Sequence, residues 1–301
     1  MIELEAVTKR YGSRTVLHDL GFRVEPGAVT GFLGPNGSGK TTTARVLLGL
    51  TEPDSGAATI GGRRYHDLRH PLCEVGALID PGGMDPRRTA IQHLRWLAAA
   101  NRLPRRRAEE VVARVGLDAA AGRKVGGFSL GMRQRLGIAA ALIGDPPVLL
   151  LDEPINGLDP EGIRWFRSFV RGLAAEGRTV FVSSHLMTEM ALTATELIVI
   201  GQGRLIAAES VVAFTERAAC SVRVRSPEPD KLMAVLLADG AEVTRDGDAL
   251  EVAGLSIEQV GTLAADHGVV LYELSPQRAS LEQAFMDLTR ATCEYVGEAA
   301  A

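Results

Sequence analysis

Ile2, Leu4 and Ala6 alternate with Glu3 and Glu5 at the start of the chain, and this period of two predicts a half-buried strand. A second extended run over residues 15–24 ends at Glu25-Pro26-Gly27, so the pair predicts an antiparallel β-layer. The alternation then stops. Residues 29–33, 148–151 and 178–182 are short and largely apolar throughout, the pattern of strands buried on both faces of a parallel sheet. Residues 57–60 and 75–79 read as further strands, and 197–200 with 204–207, joined by Gly201-Gln202-Gly203, as a closing hairpin. Helical spacing appears over 42–50 and 162–176. It also governs an insertion at about 84–142, where Ile91, Leu94, Leu97 and Ala98, then Val111, Val112, Val115 and Leu117, recur on one face. Trp96 falls within that stripe and is expected in the core. Phe128-Ser129 opens another helix with apolar positions Leu136, Ile138, Ala139 and Leu142.

After residue 217 the order of elements changes. Strand-like 221–225, helical 230–238, a hairpin of 241–245 and 249–253 around Asp246-Gly247-Asp248, helical 257–266 and strand-like 269–274 spell βαββαβ, a ferredoxin-like order. A last helix is expected at 280–290, with Leu281, Ala284, Phe285 and Leu288 on one face. The expected fold class is therefore α/β: a mixed core sheet with an antiparallel layer and a helical insertion over 1–212, plus a small α+β domain over 218–292. No catalytic cluster falls in the second domain, which suits a regulatory or dimer-contact role.

Composition narrows the function classes. The 301 residues are 46% hydrophobic, which is ordinary for globular domains, and the net charge of −4 supplies no general pull toward nucleic acid or anionic lipid. Arg105-Arg106-Arg107 follows Pro104 at a helix start and reads as a solvated face. Cys73, Cys220 and Cys293 make no C-x-x-C pair, which suits a reducing compartment. The N-terminus has no signal-peptide pattern, and no apolar run approaches the ~20 residues of a membrane span.

The chemistry starts at Gly34-Pro35-Asn36-Gly37-Ser38-Gly39-Lys40-Thr41, a full G-x-x-x-x-G-K-[ST] loop between a strand and a helix. Glycines let the backbone curl around a polyphosphate, the N–H groups and the helix start face its oxygens, Lys40 neutralises charge, and the Thr41 hydroxyl can hold Mg²⁺. Asp152 and Glu153 end a buried strand, at the edge where open α/β sheets place ligands. In a phosphate-loop enzyme Asp152 holds Mg²⁺, directly or through water, and Glu153 orients and deprotonates the attacking water. His185 ends a third strand, within reach of a γ-phosphate. Two positions stay open on spacing alone: Tyr11 either stacks on a base or is a plain strand-end aromatic, and Ser129 is either a helix cap or part of an anion site.

The ordered set Tyr11, 34–41, 128–132, 148–153, 156–159 and His185 resembles the ATP-binding subunit of an ABC transporter, over residues 1 to about 210. The resemblance implies a P-loop NTPase fold, ATP and Mg²⁺ as ligands, and two copies sandwiching two ATPs head to tail. It places Gly34, Asn36, Gly37, Ser38, Gly39, Lys40, Thr41 and Thr42 on one chain's ATP, with Ser129 and Gly131 reaching it from the other. Asp159 joins the nucleotide-facing residues. Two departures stand out. The family's L-S-G-G-Q reads Phe128-Ser129-Leu130-Gly131-Met132, and Asp80 stands near the family's usual Mg²⁺-sensing glutamine. An acid after that strand resembles the bacitracin- and daunorubicin-type exporters, and a third metal ligand at Asp80 is the corresponding expectation. A motor of this kind needs a separate membrane permease and would sit in the cytoplasm against the inner face of the membrane. A soluble ABC ATPase on ribosomes or DNA usually has two ATPase halves or long coiled coils, and this sequence has one phosphate loop and no heptad run. A nucleotide-gated binding module is the other rival, and the Asp152-Glu153 pair argues against it.

Overall fold

A computed structural model of the chain describes residues 1–217, 221–277, 281, 282 and 285. They form two compact units, Met1–Ser210 and a second beginning at Val211. The first unit runs β1 (Ile2–Tyr11), β2 (Arg14–Val24), β3 (Val29–Leu33), α1 (Lys40–Leu47), β4 (Ser55–Ile60), α2 (Pro71–Glu74) and β5 (Val75–Leu78). There follow α3 (Ala90–Ala100), α4 (Arg106–Arg114), α5 (Leu130–Ala141), β6 (Val148–Asp152), α6 (Pro160–Ala175), β7 (Thr179–Ser184), α7 (Met187–Thr193), β8 (Glu196–Gly201) and β9 (Arg204–Ser210).

Strands β2-β1-β4 form the antiparallel layer. Its inward positions differ from strict alternation. After Ile2 and Leu4, the register shifts, exposed Ala6 takes φ 49°, and Val7 becomes the next buried residue. The extra residue is a β-bulge, which kinks β1 and moves the apolar face one place along.

The six-stranded sheet has the order β5-β6-β7-β3-β8-β9, with only β9 antiparallel to its neighbour. Every residue of β3, β6 and β7 is buried, as their unbroken apolar character predicts. Phe22 of the antiparallel layer meets Phe32 and Phe181 of this sheet at centroid distances of 5.6 and 5.8 Å, and Phe32 and Phe181 are 4.9 Å apart. Burial of each ring contributes about 1.5–3 kcal/mol, so this trio ties the two layers together. Pairings Leu33↔Ser184 and Asp152↔Ser183 bring the C-terminal ends of β3, β6 and β7 level. That shared edge carries the site.

In the helical insertion, Thr89 and Gln92 form a capping box at the start of α3. The buried stripe of α3 is Ala90, His93, Leu94 and Ala98, and Trp96 is 51% exposed rather than in the core. Trp96 lies two residues past Leu94, about 200° around the helix, and its ring is covered by the Arg88 guanidinium at 4.8 Å instead.

The second unit opens with α8 (Val211–Arg217), so the division falls at Ser210/Val211. It continues β10 (Ser221–Arg225), α9 (Pro229–Ala238), β11 (Glu242–Asp246), β12 (Ala249–Ala253), α10 (Ile257–Asp266) and β13 (Glu273–Gln277). The antiparallel order β11-β12-β10-β13 interlocks two split βαβ units, the ferredoxin-like topology, over a core that includes Val222, Val224, Leu236, Val252 and Val260. The last strand starts later than its apolar run. Residues 269–272 approach it as irregular chain with Val270 and Tyr272 exposed, and β13 accommodates Pro276 because it is an edge strand. Of the helix expected at 280–290, only Leu281, Glu282 and Phe285 are described; Ala284 and Leu288 lie outside the described residues, as do Cys220 and Cys293.

Candidate functional site

Between β3 and α1 the chain must turn sharply, and inside the loop the Ser38 N–H donates to the Pro35 carbonyl at 3.2 Å. Gly39 takes φ 108°, a left-handed conformation, and a Cβ there would lie 2.6 Å from the Leu17 side chain. The buried Lys40 ammonium folds back under the loop and donates to the Gly34 carbonyl at 2.7 Å and the Pro35 carbonyl at 3.3 Å. Burial lowers its pKa, against the opposing pull of Glu153 and Asp152. A desolvated cation under a ring of amides suits a polyanion. Beneath the loop, the Ser38 hydroxyl is buried without a hydrogen-bond partner.

Thr41 Oγ1 donates to Asp152 Oδ2 at 3.0 Å. The other Asp152 oxygen accepts from the Ser183 hydroxyl, which in turn accepts from the Glu153 N–H at 3.0 Å. The two oxygens of Asp152 are thus held by the start of helix α1 on one side and by strand β7 on the other. Glu153 has φ 50°, unusual for a residue with a Cβ and costing roughly 1–3 kcal/mol, and its backbone is held by bonds to Ser183. Its Oε2 lies 2.8 Å from His185 Nδ1.

Of these groups, Gly39, Lys40, Thr41, Asp152 and Glu153 line a cleft of about 440 Å³. The phosphate loop and the start of α1 form one wall, through Asn36, Gly37 and Gly39 to Thr42. Asp152 and Glu153 line its foot, and Tyr11, Arg14 and Val16 its mouth. Gly34 and Ser38 lie beneath the loop: a Cβ on Gly34 would come 2.5 Å from Ser38 Oγ. Among the described residues no cluster of three or more His, Cys, Asp or Glu could hold a metal ion. The hydroxyl of Thr41 and the carboxylate of Asp152 fit Mg²⁺ that completes its shell with substrate oxygens and water.

Five further predicted site residues do not line this cleft: His185, which reaches it only through its bond to Glu153, and Ser129, Gly131, Asp159 and Asp80. Ser129 is exposed and caps α5, accepting the Met132 N–H at 3.2 Å, and Gly131 follows it. Asp159 caps α6 by accepting the Gly162 N–H at 2.8 Å. Exposed Asp80 accepts the Gly82 N–H at 2.7 Å, capping its own short turn. Three residues carried no site expectation: Arg14 and Val16 at the cleft, and Ser183 behind Asp152. Arg14 pairs across the β1–β2 hairpin with Tyr11, and it becomes legible only if β2 is started before Thr15. Ser183 was visible beside His185 at a strand end, but its bond to Asp152 needs the sheet order.

A phosphate loop on a parallel strand, with a Thr–Asp pair and an acid–His pair at the same sheet edge, defines a P-loop NTPase. Residues 17–156 match the family described as ABC transporter, and 220–282 match a domain of unknown function. The chain is 33% identical over 295 residues to the Nod factor export ATP-binding protein I of Burkholderia pseudomallei (strain 1710b), covering 96% of each. It is 40% identical over 209 residues to the bacitracin transport ATP-binding protein BcrA of Bacillus licheniformis, covering 68% of each. A dimeric ATP-binding cassette in a post-hydrolysis state with ADP and Pi superimposes with a TM-score of 0.64 at 26% identity, over 70% of this chain and 99% of that one. The chain belongs to the ABC transporter ATP-binding proteins: it binds ATP and hydrolyses it as the motor subunit of a transporter. Among the described residues no helix is long and apolar enough to cross a membrane.

Proposed function

We propose that this chain works as a pair of identical subunits, each pair closing over two ATPs and driving a separate membrane permease that exports antibiotic, peptide or drug-like molecules. The observation that carries the pairing is the division of the site. Glu153, Thr41, Asp152 and the phosphate loop share one cleft, while exposed Ser129 and half-buried Gly131 stand at another helix start. A second copy, placed head to tail, supplies the missing wall. Names of relatives that transport bacitracin and export Nod factor support the direction and the substrate class. The permease would bring the chain to the inner face of the membrane.

Within each site, Tyr11 stacks on the base and the amides from Asn36 to Thr42, with Lys40, hold the phosphates. Mg²⁺ held by Thr41 and Asp152, with Asp80 as a further ligand through water, would neutralise charge on the phosphoryl oxygens. Glu153 takes the proton of the attacking water, and His185, bonded to its Oε2, keeps that carboxylate aimed and reaches the γ-phosphate. Ser129 and Gly131 of the second copy complete the phosphate shell, and Asp159 orders the loop beside them.

Glu153→Gln keeps the size and one acceptor of the side chain but cannot accept the proton. ATP binding favours the closed pair only through its differential affinity for that state, so a non-hydrolysing site accumulates it. Turnover is expected to fall at least about 100-fold, the scale of a general base, with a dimer on size-exclusion chromatography that appears only with ATP. Wild-type turnover in this variant would refute the assignment of the base.

A further inference from the structure

Leu130 stands where the family motif has its first glycine, and the structure shows what it touches. It is the first residue of α5, directly after the cap Ser129, and its side chain is 53% exposed. The covered part rests on Gly157: a Cβ built on Gly157 would overlap Leu130 Cδ2 and Cγ. The next residue meets the same loop, since a Cβ on Gly131 would lie 3.2 Å from the Gly157 carbonyl oxygen and 3.5 Å from Leu158 Cδ2. That loop is short and internally bonded. Asn156 N–H donates to the Glu153 carbonyl at 3.3 Å, Leu158 N–H to the Ile155 carbonyl at 3.1 Å, and Asp159 caps α6. Three residues separate Gly157 from Glu153, whose left-handed backbone ties it to Ser183.

We infer that Leu130 is a positioning residue, which latches the start of α5 onto Gly157 so that Ser129 and Gly131 move as one piece with the loop carrying Glu153. The inference rests on the two-copy reading above. A glycine at 130 has no side chain to make this contact and leaves the helix start free to shift against the loop. Leucine fills the groove that Gly157 provides by lacking a Cβ, so the two residues form a matched pair. The latch couples the face offered to the other copy's ATP to the base acting on the chain's own ATP. Its strength bears on turnover; ATP capture by the phosphate loop is untouched.

A double-mutant cycle on the full chain tests this by steady-state hydrolysis, with ATP affinity by calorimetry and melting as controls. Gly157→Ala carries two penalties: strain at φ 76°, the same whatever stands at 130, and overlap with Leu130, which is absent beside glycine. Gly157→Ala is expected to lower kcat about tenfold in the wild-type background and no more than about threefold in Leu130→Gly, the coupling range of touching residues. Leu130→Gly alone should lower kcat about threefold with ATP affinity unchanged and melting lowered only slightly, while Leu130→Met retains wild-type kcat because a volume-conserving apolar side chain is tolerated. Equal losses from Gly157→Ala in the two backgrounds, or wild-type kcat in Leu130→Gly, would overturn the inference. Ser129→Arg, run in the same assay, separates the two readings: if it stays active the two-copy site is wrong, and if it is inactive while the cycle is additive only the latch is wrong.

Discussion

Asp80 and Glu153 show how differently two acids near one site are held. Glu153 is fixed by its backbone bonds and by His185, whereas Asp80 is exposed and spends one oxygen on its own turn. Beside a triphosphate a carboxylate repels unless a cation lies between, so the charge of Asp80 is tolerable only as a water-mediated metal contact or when turned to the permease. Asparagine keeps the oxygen that accepts the Gly82 N–H and removes the charge. Asp80→Asn should therefore leave the fold unchanged and ATP affinity equal or slightly higher, while turnover across a Mg²⁺ titration falls several-fold. A variant indistinguishable from wild type in that titration would reduce Asp80 to a turn cap. At this scale the sequence was most legible where a residue type has one use, as in Lys40, Thr41 and Asp152. It was least legible where a partner sits on a distant strand: Ser183 gains its role only when β6 and β7 are neighbours.

The elements themselves followed from periodicity, and the misplacements have local causes. Trp96 was drawn into the stripe of α3 by its apolarity, although the helix turns it away from Leu94; Ala6 lost its inward place to a bulge; and the final strand was delayed past an apolar run. The stripe of α3 instead includes His93, buried 6.3 Å from Trp96. Burial, and then the Arg88 charge, hold its imidazole below the ordinary value. The folded chain therefore keeps His93 neutral in a range where the unfolded chain takes up a proton. Its contribution is complete above about pH 6.5 and is lost as pH falls through that value toward the folded one. His93→Leu removes the titration and keeps the burial. Melting curves taken between about pH 7.5 and pH 5 should show the wild type losing more stability than His93→Leu as pH falls. Parallel losses in both proteins would mean that His93 titrates as in an unfolded chain.

At the scale of the whole molecule, the ordered motifs became one cleft because β3, β6 and β7 end level, a register that strand pairing fixes and a linear pattern does not display. The helix start carrying Ser129 stayed outside the cleft, and that separation makes its strongest prediction about a pair of chains. In the proposed head-to-tail pair each site would take its phosphate loop from one copy and its α5 start from the other. Ser129→Arg places bulk and charge against the partner's ATP, and Lys40→Ala removes the cation that holds phosphate in its own cleft. Each variant alone should be inactive, because both of its sites carry the defect. Mixed in equal amounts, the two chains give about half mixed pairs, and each mixed pair has one intact site: the loop of the Ser129→Arg chain facing the α5 start of the Lys40→Ala chain. If sites turn over independently, the mixture recovers about a quarter of wild-type activity. Were Ser129 to act within its own chain, no mixed pair would contain a complete site, and the mixture would hydrolyse ATP no faster than the mean of its components.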